Sequence, residues 1–304
     1  SSGETGMYTV SPKTEKTDND VAVVDGQYFT QLQNAINAAV DDDTVELLKD
    51  FSISGTSTLD LNGKTVETKG HYLYVGEGSN ITITGNGTFV NNEVVTSNAD
   101  LQDIIQVAAG GKLTIENGTF NSKGAQIFKI AGEVTIEDGT FTCTATGEEI
   151  EEIASKAMIQ ASGETAVLNF NAGTLDADTK DAANARLVYG IYAANGATVN
   201  LGAEGTEGPT ITSGYAAVGF NNLTSNPGPE INIHSGNYSA NLGDDTNPND
   251  YKFNSVLYLS GQGTVTISGG NFSSDGTATR IFSIPYTNVG LSLNITGGTF
   301  NSTN

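Results

Sequence analysis

Four tyrosines carry the clearest binding chemistry in this chain: Tyr72, Tyr74, Tyr192 and Tyr258. They sit in the short runs YLYVG (72–76), LVYGIYAA (187–194) and SVLYLSG (255–261), where strict alternation puts them on the outward side of a strand. A tyrosine ring offers an apolar face that stacks on a sugar ring, and a hydroxyl that bonds to water or ligand. Alternation carried through the sister runs DIIQVAA (103–109), QIFKIAG (126–132), KAMIQASG (156–163) and RIFSIPY (280–286) also turns Ile104, Ile127, Met158 and Ile281 outward, with Val256 from SVLYLSG. A solvated sheet face should be polar at such positions. This face is therefore either roofed by loops as a secondary core or open as a ligand-binding surface, and both readings stand.

A second cluster suits a hard cation. The loop GDDTNPND (243–250) sets Asp245, Asn247 and Asn249 at alternate positions, with Asp250 next, as the oxygen ligands of a calcium loop are set. The pattern then departs. Asp250 stands where such a loop needs Gly, Pro248 intervenes, and the twelfth position is Val256 rather than Glu. Calcium is the one cofactor the chain suggests, and a solvated Asx turn is the competing reading.

Catalytic groups are harder to assemble. Candidate bases are Lys129, outward in QIFKIAG, and Arg186 and Arg280 at strand starts. None has a carboxylate cluster on a neighbouring strand, because the acids fall in loops. The Asp pairs at 42–43 and 244–245 lie in turns, and His71 and His234 read as outward surface residues. No catalytic residue is assigned, and the chain leans away from an enzyme.

The charge balance narrows the partners. With 13 Lys and Arg against 35 Asp and Glu, the net charge is −22, which repels nucleic acid and anionic polymers. No apolar run is long enough to span a membrane. Cys143 is the single cysteine, so no intrachain disulfide forms. Residues 1–20 are polar, lack a signal-peptide pattern, and read as a flexible linker ahead of one domain at 21–304.

A repeated phrase must position these residues. VTIEDGTF (134–141) recurs as ITITGNGTF (81–89), LTIENGTF (113–120), INIHSGNY (231–238), VTISGGNF (265–272) and LNITGGTF (293–300). Looser copies are LNFNAGTL (168–175) and VNLGAEGTEGPTI (199–211), the latter with an insertion. Self-similarity at this period is the mark of a solenoid. Period two turns Ile81/Ile83, Leu113/Ile115, Val134/Ile136, Ile231/Ile233 and Val265/Ile267 inward as stacked ladders, and leaves a Thr/Asn column outside. Before the repeats, residues 30–40 read as an amphipathic helix with a Thr30/Gln33 capping box, inside an N-terminal cap at 21–50. It would lid the open end of the core.

The run DGQYFTQLQNAINAAVDDDTVELLKDFSISGTSTLDLNGKTVE (25–67) resembles the leading segment of pectate-lyase-like right-handed parallel β-helices, in particular bacterial surface and adhesin-like members. The resemblance implies an all-β, right-handed parallel β-helix of roughly nine or ten rungs with an N-terminal capping helix. It also implies a secreted or cell-surface location. The expectation for function is a non-catalytic, adhesin-like module, a monomeric segment of a longer surface protein, binding glycan or another cell-surface ligand. A polysaccharide lyase or glycoside hydrolase is the enzymatic alternative, and a purely structural stalk is the third.

Overall fold

Each marker phrase supplies one strand, a tight turn and a second strand, and the run before it supplies a third. The chain thus turns three times and arrives one step higher, in register with itself. The computed structural model describes residues 13–93, 103–123, 126–143, 157–177, 189–214, 216–223, 227–240, 255–274, 280–285 and 290–302. These form a right-handed parallel β-helix of three sheets. In chain order within a turn, sheet 1 has nine strands, from Phe51–Ile53 to Arg280–Ser283. Sheet 2 has nine, from Thr56–Asp60 to Leu291–Ile295, and sheet 3 has twelve, closing on Thr299–Ser302. Nine complete turns stack among the described residues.

The ladders explain why this sequence accepts stacking. Leu113 and Ile115 lie between Ile81/Ile83 below and Val134/Ile136 above, all of them buried. Each such side chain contributes about 1.5–3 kcal/mol by leaving water. The closing aromatics stack in turn, with ring centroids 5.7 Å apart for Phe89–Phe120 and 5.1 Å for Phe120–Phe141. The turn glycine of the phrase is required by its backbone. Gly118, Gly139, Gly173, Gly236, Gly270 and Gly298 have φ between +96° and +148°, where a side chain is strained.

The first end of the stack is closed by chain that leaves the repeat. The helix spans Leu32–Ala38, shorter than the expected 30–40, and buries Leu32, Ala35 and Ile36. The Thr30/Gln33 capping box does not form: the N-cap is Gln31, with no side-chain cap bond. Gln33 instead reaches across to Asp60, donating to its carbonyl at 2.8 Å and accepting from its N–H at 2.9 Å. Its amide stands in for a neighbouring strand at the free edge of sheet 2, pairing one donor and one acceptor of that edge. The expected linker also shortens. Lys13 pairs with the buried Asp20 at 2.7 Å, and the Lys13 carbonyl accepts from Tyr28 N–H at 2.8 Å, so the two ends of 13–20 are tied to the fold while 14–19 stay exposed.

Strict alternation fails at one corner. Where sheet 3 hands over to sheet 1, two successive residues face the core. Ile104/Ile105, Ile127/Phe128, Met158/Ile159 and Val256/Leu257 are all buried in the main core. The pairing is interrupted at the same point, since Ala157 pairs with Tyr189 and Ile159 with Ile191 while Met158 and Gly190 are passed over. Ile104, Ile127, Met158 and Val256 therefore point inward, and Ile281 packs half-buried against the same core. A chain that bends by a third of a turn cannot keep the two-residue period through the bend.

Candidate functional site

With the corner corrected, the outer face of sheet 1 is much less apolar than alternation implied. One in-register column runs Ser52, Tyr74, Gln106, Lys129, Gln160, Tyr192, Gly219, Tyr258, Ser283. Successive members are about 4.8 Å apart, so Tyr74 and Tyr192 stand about 19 Å from each other, with Gln106, Lys129 and Gln160 between them. Tyr74 and Lys129 are exposed, while Gln106, Gln160 and Tyr192 are half-buried.

The four tyrosines divide into two groups rather than forming one platform. Tyr72 and Tyr74 belong to the second turn. Tyr72 lies beside Asp50, whose carboxylate raises the phenol above its ordinary range, with burial adding to the shift. Asp50 also sits 3.3 Å from His71 Nδ1. Tyr192 and Tyr258 belong to a separate apolar cluster with Ala157, Tyr189 and Ala216. Tyr258 is only 4% exposed, so its ring is not a stacking surface. Tyr192 packs on Tyr189 with centroids 4.8 Å apart and its hydroxyl faces the Asn221 carbonyl at 3.4 Å. Burial raises the Tyr192 phenol, against the pull of that hydrogen bond.

Two residues of this face escaped sequence reasoning. Tyr189 is the centre of the aromatic cluster and faces outward, three positions before Tyr192, because the bend falls between them. Asp103 stands at the same corner on the third turn. Its carboxyl is 3% exposed, accepts from Gln106 Nε2 at 3.0 Å through Oδ2, and has no hydrogen-bond partner at Oδ1. Burial pushes it up to about 6, partly countered by the Lys129 ammonium and the Gln106 bond. The signal that could have found it is the DII run, an acid directly before two core residues.

Lys129 thus has one carboxylate within electrostatic reach, from Asp103 at the corner just before the strand Ile105–Val107. One carboxyl is still short of the pair that glycoside hydrolysis uses. Arg280 is exposed at the start of its strand. His234 lies 3.0 Å from Ser268 Oγ, part-exposed as expected. The calcium candidates Asp245, Asn247, Asn249 and Asp250, and Arg186, lie outside the described residues. Among the described residues no three His, Cys, Asp or Glu side chains converge on a metal-sized space, and no helix is long and apolar enough to cross a membrane.

The face can therefore stack a ring on Tyr74 and on the open side of Tyr192, and offer amide and ammonium groups between. Compared with known proteins, the chain matches no family model, no curated protein and no solved structure.

Proposed function

We propose that this protein is a non-catalytic β-helix module that binds an extended neutral glycan along the outer column of sheet 1, displayed outside the cell. The observation that carries the reading is the spacing of that column. One side chain is presented per turn at about 4.8 Å, close to the length of one sugar unit in an extended chain. Tyr74 and Tyr192 supply the stacking ends. Gln106, Lys129 and Gln160 supply donors and acceptors to the hydroxyls between them. The net charge of −22 disfavours polyanionic glycans. The bacterial surface and adhesin-like character implied by residues 25–67 agrees with this reading.

A glycan array probed with the wild-type chain and a Tyr74→Ala/Tyr192→Ala variant tests it. Binding to neutral glycans that the variant loses supports the reading; no binding by either form sinks it.

One observation favours a second reading, a glycan-cleaving enzyme: the buried Asp103 carboxyl, held near 6 beside Lys129, is suited to proton transfer near neutrality. New reducing ends or unsaturated products that vanish in Asp103→Asn would establish it.

A further inference from the structure

Three departures from the repeat meet at one place, the corner between sheets 2 and 3. The first is a loop. Seven of the eight marker copies join the two strands through three residues, but eight residues, GAEGTEGP, separate Leu201 from Thr210. This loop is pinned. The Thr206 hydroxyl donates to the Ala203 carbonyl at 2.9 Å, accepts from Ala203 N–H at 3.2 Å, and lies 3.1 Å from Ser235 Oγ.

The second departure is in the strand that follows. Its opening residue is Thr in six copies and Asn in two, and the two are register neighbours, Asn237 and Asn271, in the turns directly above the loop. Asn271 Nδ2 donates to Asn237 Oδ1 at 3.0 Å. The third departure is the only tyrosine among the closing residues. Tyr238 is buried, stacks on Phe272 at 5.0 Å, and donates to the Ser235 carbonyl at 2.6 Å, bracing the residue on which the loop rests.

Between the loop and the two asparagines lies a groove of about 460 Å³, lined by Thr206, Glu207, Ser235, Asn237 and Asn271 with two glycines. We propose that this groove is a separate binding site for one or two units of a neutral sugar. The lining excludes the other ligand classes. It has no apolar wall for a lipid or aromatic ring. Glu207 and the overall charge repel anions. A single carboxylate with two amides falls short of the six to eight oxygens calcium takes. What remains is a mixed set suited to hydroxyls, which donate and accept at once. The Asn271-to-Asn237 bond uses one N–H of Asn271 and the side-chain oxygen of Asn237, so Asn237 offers its amide N–H groups and Asn271 its amide oxygen, with the Glu207 carboxylate as a second acceptor. The site lies on a different corner from the sheet 1 column and does not depend on it.

The test is a ligand-observed NMR titration of the chain with glucose, galactose, mannose, N-acetylglucosamine and their β-linked dimers, with calcium chloride and inorganic phosphate as separate arms. The variant Asn237→Thr/Asn271→Thr writes the residue of the other seven turns into these two, so the scaffold is kept. Binding of at least one sugar, weakened about tenfold or more in this variant and in Glu207→Gln, is the expected result. The unfolding midpoint of the Thr variant should match wild type. Binding should survive in Tyr74→Ala/Tyr192→Ala, which separates this groove from the sheet 1 face. The proposal is overturned if no sugar binds, if the Thr variant binds as wild type does, or if only calcium or phosphate is retained.

Discussion

The outer faces of sheets 1 and 2 are built on the same rungs and have opposite characters. On sheet 2 the outward column is Thr82, Thr114, Thr135, Asn169, Asn200, Asn232, Thr266, Asn294, one residue type or its near equivalent at every turn. From Thr135 to Asn232 these side chains bond to one another. Asn200 Nδ2 donates to Asn169 Oδ1 at 2.8 Å, and Asn232 Nδ2 to Asn200 Oδ1 at 3.1 Å. A face whose polar groups are paired rung to rung has little left to offer a ligand. On sheet 1 the column changes residue type at nearly every turn, and the Asp103 carboxyl beside it keeps an unpartnered oxygen. Uniformity marks scaffold in this molecule, and departure from uniformity marks the surfaces available for other work.

The largest effect that separates the two faces is steric. Gly219 sits between Tyr192 and Tyr258, and an added Cβ would lie 2.4 Å from the Tyr258 carbonyl oxygen and 2.9 Å from the Tyr189 ring. Gly219→Val should destabilise by about 3 kcal/mol in denaturant unfolding. A near-neutral result would mean that the aromatic cluster is looser than its contacts suggest.

Next in size is Asp103. Its folded pKa of about 6 lies above the ordinary carboxylate value of 3.8, so the native state holds the proton more tightly than the unfolded chain does. The stability this confers is full below about pH 3.8 and is lost as pH rises through 6. Asp103→Asn should therefore be more stable than wild type at pH 8, by about 3 kcal/mol, and the difference should vanish below pH 4. Parallel pH–stability curves for the two proteins would refute the buried, underpaired carboxyl.

Sheet 2 should respond more mildly. Asn200→Ala breaks two links of its ladder and should cost about 1–2 kcal/mol, with ligand binding unchanged. Thr114→Val on the same face should stay within about 0.5 kcal/mol by thermal unfolding. A loss of binding in either would erase the distinction between scaffold and site.

The sequence announced the scaffold through repetition: Leu113, Val134 and Val265 fall at one place in each phrase, and stacking forces such positions into one ladder. Features that occur once were hidden. Gln33 looked like a capping partner because local spacing says nothing of Asp60, which lies across the end of the stack. Tyr189 and Met158 exchanged faces because the chain bends at the corner, and a period of two holds only along straight strand. Tyr258 was expected as a platform, but the neighbouring Tyr189 and the glycine-sized gap at Gly219 draw it into a buried cluster. Asp103 drew no role from the sequence, since its burial depends on neighbouring turns and not on its flanking residues.

The central claim is that a glycan lies along the solenoid axis on sheet 1, one unit per turn from Tyr74 to Tyr192. Isothermal titration with neutral oligosaccharides of increasing length measures this directly. Affinity should climb with each added unit until the chain reaches from one tyrosine to the other, about five units, and then level off. Affinity independent of length, or a plateau at one or two units, would contradict it.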